Sequence, residues 1–242
     1  MGVLVDGVVA RMTDALEPLE AAGDPARYFL GTYLRTTRVI GAALDGGLFE
    51  DPEWVEEWDV VFADLYLDAL DAHRRDPASA PRPWRIAFAA DPGLHPVLHV
   101  LLGMNAHINF DLPQATAAVL PPVLEPALLD LRRRDHERVD EVLASRVGAE
   151  DVELGALAPL RLVDRALRPV NRAATRRFLT ESRHRVWANT LALHEARASG
   201  DHDRRVADLD ALSAARVADL LRPGPVLVRL AVRGFGVTLP PP

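Results

Sequence analysis

The sequence predicts an all-α fold, a single-domain multi-helix bundle over residues 1–242, and three observations carry that prediction. Apolar residues recur at the 3.6-residue helical period through most of the chain. Gly and Pro interrupt these runs where helices have to stop and start. Strand-like alternation is nearly absent, with Val226 to Val232 the sole candidate.

Taken in order, Val3 to Leu19 reads as one amphipathic helix ended near Gly23-Asp24-Pro25. Asp24 there suits an N-cap and Pro25 a helix start. Tyr28, Leu30, Tyr33, Leu34, Thr37 and Ile40 keep helical spacing up to the stop at Gly46-Gly47. Asp51-Pro52 opens a third helix, whose stripe is Trp54, Trp58, Phe62, Leu65 and Ala69. It fades after Arg75, before a loop from Pro77 to Pro83. Leu94 to Ile108 is apolar enough for a central buried helix. Asp111-Leu-Pro113 reads as an N-cap with Pro in the first turn, opening a short helix from Gln114 to Leu120. Beyond Pro121, Pro122 and Pro126 the next helix runs to about Arg146, and Gly148 to Gly155 reads as a linker. Arg-rich helices follow from about Ala158 to Ser199, bent at Pro169. Gly200 to Asp203 makes a turn, Arg204 to Leu221 a last helix, and the tail from about 223 is expected to be irregular.

Composition narrows the function. Hydrophobic residues make up 49% and charged residues 26%, which are globular values. A net charge of −7 argues against a general nucleic-acid binder. All 28 basic residues are Arg, a bias of high-GC bacterial coding rather than of function. With no cysteine, disulfides, thiolate metal sites and cysteine nucleophiles are excluded. Met1-Gly2 resembles the start of a myristoylation signal, but position 6 is Asp where Ser or Thr is wanted. No signal peptide or transmembrane segment is expected, so the expected location is cytoplasmic. No phosphate loop, dinucleotide fingerprint or nucleophile elbow is present.

One segment is too polar for plain core. Asn105, His107, Asn109 and Asp111 occupy alternate positions between Leu102 and Pro113, flanked throughout by apolar residues. Buried amides, imidazole and carboxyl cost free energy unless each is partnered. His107 and Asp111 lie four residues apart, neighbours on a helix. Gly103 would let another helix or a ligand approach the backbone. The functional reading makes His107 and Asp111 catalytic or metal-binding, with Asn105 and Asn109 holding substrate. The structural reading makes Asp111 a cap, the asparagines partners of loop backbone and His107 a satisfied core residue.

Gly103-Met-Asn-Ala-His-Ile-Asn-Phe-Asp-Leu112 resembles the signature of an uncharacterised bacterial family, a domain of unknown function common in actinobacteria. Asp135 to Leu143 is similar to a second segment of that family, with Asp140 where Asn is expected. The resemblance spans roughly residues 3 to 200. It implies a helical domain and no established activity.

Other candidates lie outside that segment. Asp64, Asp68 and Asp71 form an acidic ridge, with Asp64 expected to face inward and the other two to be solvated. Asp64 and Asp135 are the further metal candidates, alongside His107 and Asp111, for one divalent ion. Arg132 to Arg138 reads as a mostly solvated surface around Asp135 and His136. Arg172 and Arg176, in an Arg-rich run from Arg161 to Arg185, are candidates for binding an anionic substrate or the acidic ridge. Two functions stay open. One is an enzyme with a buried His/Asp/Asn centre, metal-assisted or acid–base, acting on a small, partly apolar molecule. The other is a non-catalytic helical ligand-binding or interaction protein whose polar segment is structural. Either is compatible with a homo-oligomer.

Overall fold

The structure, a computed structural model, describes residues 3–155, 184–224 and 234–241. Among these residues every regular element is helical, and no strand occurs. Helix α1 spans Val3–Ala22, α2 Ala26–Asp45 and α3 Pro52–Arg75. A short 3-10 turn, Pro77–Ser79, leads to α4, Arg82–Phe88. Then come α5, Pro96–Ala106, a π-helical turn, His107–Asp111, and α6, Leu112–Ala118. Helix α7 is Pro126–Gly155, α8 covers 184–199 and α9 is His202–Leu220. The strand candidate Val226 to Val232 and the bend at Pro169 lie outside the described residues.

Local chemistry explains most of the boundaries. Asp51 caps α3 by accepting from the Trp54 N–H at 3.0 Å, with Pro52 in the first turn, and His73, Arg74 and Arg75 face the carbonyl end. Gly23 ends α1 at φ +67°, a conformation that side chains disfavour. His95 caps α5 through its ring, Nδ1 accepting from the Val97 N–H at 3.3 Å, so this helix starts at Pro96 rather than Leu94.

Three expectations are corrected. The stretch 148–155 is helical rather than a linker, continuing α7. The segment after the third helix is not all loop, since Arg82–Phe88 forms α4. Asp111 is not an N-cap: its backbone is helical and its side chain makes no cap bond. Instead the chain runs from α5 into α6 through the π turn, where the Leu112 N–H bonds to the His107 carbonyl five residues back. Pro113 would break a regular helix because its ring crowds the carbonyl four residues earlier. The wider turn ends just before it.

Helix α1 packs on α2 and α3, α2 on α5 and α7, α3 on α6, and α4 and α5 on α9. One core cluster joins Met12, Leu30, Tyr66, Trp84, Leu102 and Leu209. A second joins Ile40, Val55, Trp58, Leu112, Val139 and Phe235. Helices α2 and α5 approach closely at Gly103, where a Cβ would lie 2.4 Å from Phe29 Cγ.

That contact generates a paired prediction. Gly103→Ala should destabilise the chain by about 1–3 kcal/mol through overpacking. Gly7→Ala, on the exposed face of α1 with nothing within 4 Å, should stabilise it by about 0.5–1 kcal/mol. Urea denaturation of both variants checks the pair. A neutral Gly103→Ala would mean that Phe29 does not need the bare backbone.

Candidate functional site

The π turn places His107 and Asp111 inside a layer of aromatic rings. His107 Nδ1 lies 2.8 Å from Asp111 Oδ2, and Trp84 Nε1 donates to the same oxygen at 2.8 Å. The imidazole stacks on Phe62 with centroids 3.6 Å apart and meets Tyr33 edge-on at 4.4 Å. Phe29, Tyr66 and Trp84 complete the surround at 5.6 to 6.0 Å. His107 is 3% exposed and Asp111 1%. Burial pushes the imidazole well below its ordinary pKa and the carboxyl well above its own. Both groups are therefore held uncharged, and a single hydrogen serves the bond between them. That hydrogen lies on Nδ1 or on the carboxyl according to the imidazole tautomer, and Asp111 Oδ2 accepts from the indole in either case.

Asn105 and Asn109 face a different partner, the chain's own C-terminal segment. Residues 234–241 have no regular secondary structure, yet Phe235, Val237 and Leu239 are buried. Asn109 Nδ2 donates to the Phe235 carbonyl at 3.0 Å, and Asn109 Oδ1 accepts from the Val237 N–H at 3.1 Å. Asn189 on α8 repeats the pattern one step along. Its Nδ2 donates to the Val237 carbonyl at 3.0 Å and its Oδ1 accepts from the Leu239 N–H at 2.9 Å. Asn105 adds a longer bond to the Phe235 carbonyl at 3.4 Å. Arg205 holds the Pro240 carbonyl at 2.7 Å. Each asparagine thus acts as the neighbouring strand would, exchanging two bonds with backbone two residues apart.

The other candidates are dispersed. Asp64 pairs with Arg11 at 2.6 Å and its side chain is 40% exposed, so it does not turn fully inward. Asp68 and Asp71 are exposed, as expected. Asp135 is fully buried, and its oxygens accept from the Glu50 and Asp51 N–H groups at 2.9 and 2.7 Å. The segment Arg132 to Arg138 is therefore not a mostly solvated surface. Arg134 and Arg138 pair with Glu50, Arg132 with Asp51, and His136 stacks on Trp58. Arg172 and Arg176 lie outside the described residues. Among the described residues no group of three or more His, Asp or Glu side chains is placed to hold a metal.

The sequence reading passed over a second polar centre. Helices α2, α3 and α7 enclose a cavity of about 40 Å³. Its polar lining includes Tyr33 and Thr37 from α2 and Asp59 from α3, and its walls include Ile40, Val55, Trp58 and Phe62. Tyr33 Oη, Thr37 Oγ1 and Asp59 Oδ2 are buried and have no hydrogen-bond partner. Burial, and then Glu56 beside it, raises the Asp59 carboxyl to about 7. Burial, and then Asp59, raises the Tyr33 phenol well above its ordinary value. His107 does not line this space; Tyr33 and Phe62 line it and also pack against the imidazole. A signal for Asp59 exists in the sequence, since it shares a helical face with Val55, Phe62 and Tyr66.

The model of the family of unknown function DUF5995 matches residues 5–223, and the chain belongs to that family. No curated protein and no solved structure matches it. No helix among the described residues is long and apolar enough to cross a membrane.

The asparagine clamp predicts a tail-release phenotype. Asn109→Ala would leave the Val237 N–H without its side-chain partner and the Phe235 carbonyl with only the longer Asn105 bond. The expected cost is about 2–4 kcal/mol in urea denaturation, with faster carboxypeptidase trimming of the C-terminus. Unchanged trimming would show that the clamp does not hold the tail.

Proposed function

We propose that this chain is a small-molecule-binding helical protein whose ligand sits in the cavity between α2, α3 and α7. In this reading the polar segment around His107 is structural. One observation carries it: Tyr33, Thr37 and Asp59 converge, buried and unpartnered, on one mostly apolar space. Native structures partner nearly all buried polar groups, and orphans that share a cavity are the ordinary form of a ligand's anchoring end. Around His107 the unpartnered atoms, His107 Nε2 and Asn105 Oδ1, line no such space, and their neighbours are bonded. Asp111 serves His107 and Trp84, and Asn109 serves the tail.

A cavity of about 40 Å³ has room for roughly three to four non-hydrogen atoms, since one water needs about 10–15 Å³ by the same measure. The site therefore fits a small molecule, or the head of a larger one, with an apolar body and a hydrogen-bonding end. Acid–base catalysis is the second reading. It is favoured by Asp59, whose carboxyl exchanges its proton near pH 7.

Filling the space tests the binding reading. Val139→Phe narrows the cavity from α7. Small molecules that raise the melting temperature of the native chain should lose that effect in the variant. A ligand at about 100 times its Kd should stabilise the native chain by about 2.7 kcal/mol. Hits that shift both proteins equally would place binding elsewhere.

The Asp59 carboxyl also predicts a pH dependence. Its ordinary value is 3.8 and its folded value about 7, so between these limits the folded chain holds a proton that the unfolded chain releases. Its contribution to stability is greatest at the acid end and falls as pH rises to about 7, by on the order of 1.4 kcal/mol per unit. The titratable groups that interact with it are Glu56 on its own helix and Tyr33 on α2. Asp59→Asn removes the slope. Its stability relative to the native chain should therefore be higher at about pH 8 than at about pH 5. Equal differences at the two pH values would mean that Asp59 titrates normally.

A further inference from the structure

We infer that the polar end of the α2–α3–α7 cavity takes a small alkylammonium group, with Asp59 as its counter-ion. This deepens the ligand-binding reading and rests on it. Four buried atoms of lining residues have no partner: three oxygens, of the Asp59 carboxyl, the Tyr33 phenol and the Thr37 hydroxyl, and one donor, the Trp58 indole N–H. An ammonium carries three donors and no acceptor, so it matches the three oxygens one for one. An alcohol carries one donor and leaves two of the three oxygens unserved. A carboxylate or phosphate fares worst. No Arg or His lines the cavity, so an anion would meet Asp59 with no compensating charge.

The walls point the same way. Trp58, Phe62 and Tyr33 bring three aromatic rings to the lining. Aromatic faces attract cations, most strongly where water is excluded. A buried carboxylate without a partner is costly, and a bound cation removes that cost. Ile40, Val55 and Val139 leave the remainder of the space apolar, suited to a short alkyl chain. The volume admits a chain of two or three carbons behind the nitrogen. With so few atoms in contact, affinity is millimolar at best.

The experiment compares three matched probes on the full chain at about pH 8, where Asp59 is ionised. n-Propylammonium, n-propanol and propionate are titrated while the Trp58 indole N–H is followed by nitrogen-15 NMR. The amine should bind at least tenfold more tightly than either other probe. Asp59→Asn should weaken the amine at least tenfold, with an unchanged indole pattern from the other tryptophans showing that the fold is kept. If propanol or propionate binds as tightly as the amine, the ammonium assignment is overturned while the ligand-binding reading stands. An amine preference that survives in Asp59→Asn also overturns it. If none of the three moves the Trp58 signal up to about 100 mM, the ligand-binding reading falls with it.

Discussion

An imidazole and a carboxyl withdrawn from water are costly until each finds a partner, and here His107 and Asp111 find one another. The hydrogen bond between them is closed off by Trp84, which occupies the same carboxyl oxygen, and by aromatic rings from α2 and α3. Much of the bundle's geometry follows from that burial. Helix α4 has to bring Trp84 to Asp111. Helix α2 has to lie close enough for Phe29 to reach both Gly103 and the imidazole. The backbone has to widen into a π turn so that both side chains point into the ring layer while the chain continues past Pro113. With both groups uncharged, the layer has the polarity of a hydrogen-bonded neutral pair, which a packed aromatic core tolerates far better than an ion pair.

The same segment closes the bundle on its other side. Phe235, Val237 and Leu239 are buried and join the two core clusters, although residues 234–241 form no helix. An extended backbone brings unpaired amides with it, and a helical neighbour has no free main-chain groups to offer. Asn109 and Asn189 supply the missing amides from side chains, at the two-residue step that an extended chain presents. Alternate polar positions in the segment thus serve two partners: His107 and Asp111 the ring layer, Asn105 and Asn109 the tail.

How much of this was legible in the sequence depends on whether the deciding contact was local. The caps and stops were: Asp51-Pro52, Gly23 and Gly46-Gly47 act through their own backbone, and the helices begin and end there. The polar segment was legible as an anomaly, and its burial followed from its flanks. Its partners were not. Asp-Leu-Pro is a good helix start on local grounds, but Trp84, 27 residues upstream, and His107 outcompete the backbone for Asp111. Nothing near Asn189 in sequence announces that it holds Val237 and Leu239. Arg132 to Arg138 looked solvated because its charges are dense. Its buried member, Asp135, accepts from two amides of the loop between α2 and α3 and from Arg138 on its own helix.

The two buried polar centres of this core differ in the space beside them. Around the π turn, Asp111 Oδ2 has His107 and Trp84 as partners and both ends of the Asn109 amide are bonded to the tail, while His107 Nε2 and Asn105 Oδ1 are buried without one. A few ångströms away, Tyr33 and Phe62 carry the ring layer over to the cavity beside Asp59. Burial first, and then the Asp59 carboxylate, raises the Tyr33 phenol above its ordinary value. A neutral hydrophobic residue in place of Asp59 would remove that effect and fill space at once. Retaining a buried, unpaired acid beside a void costs stability at neutral pH, and a protein that gained nothing from it would have packed the site. On the binding reading, Asp59 rather than His107 is the residue whose substitution is informative.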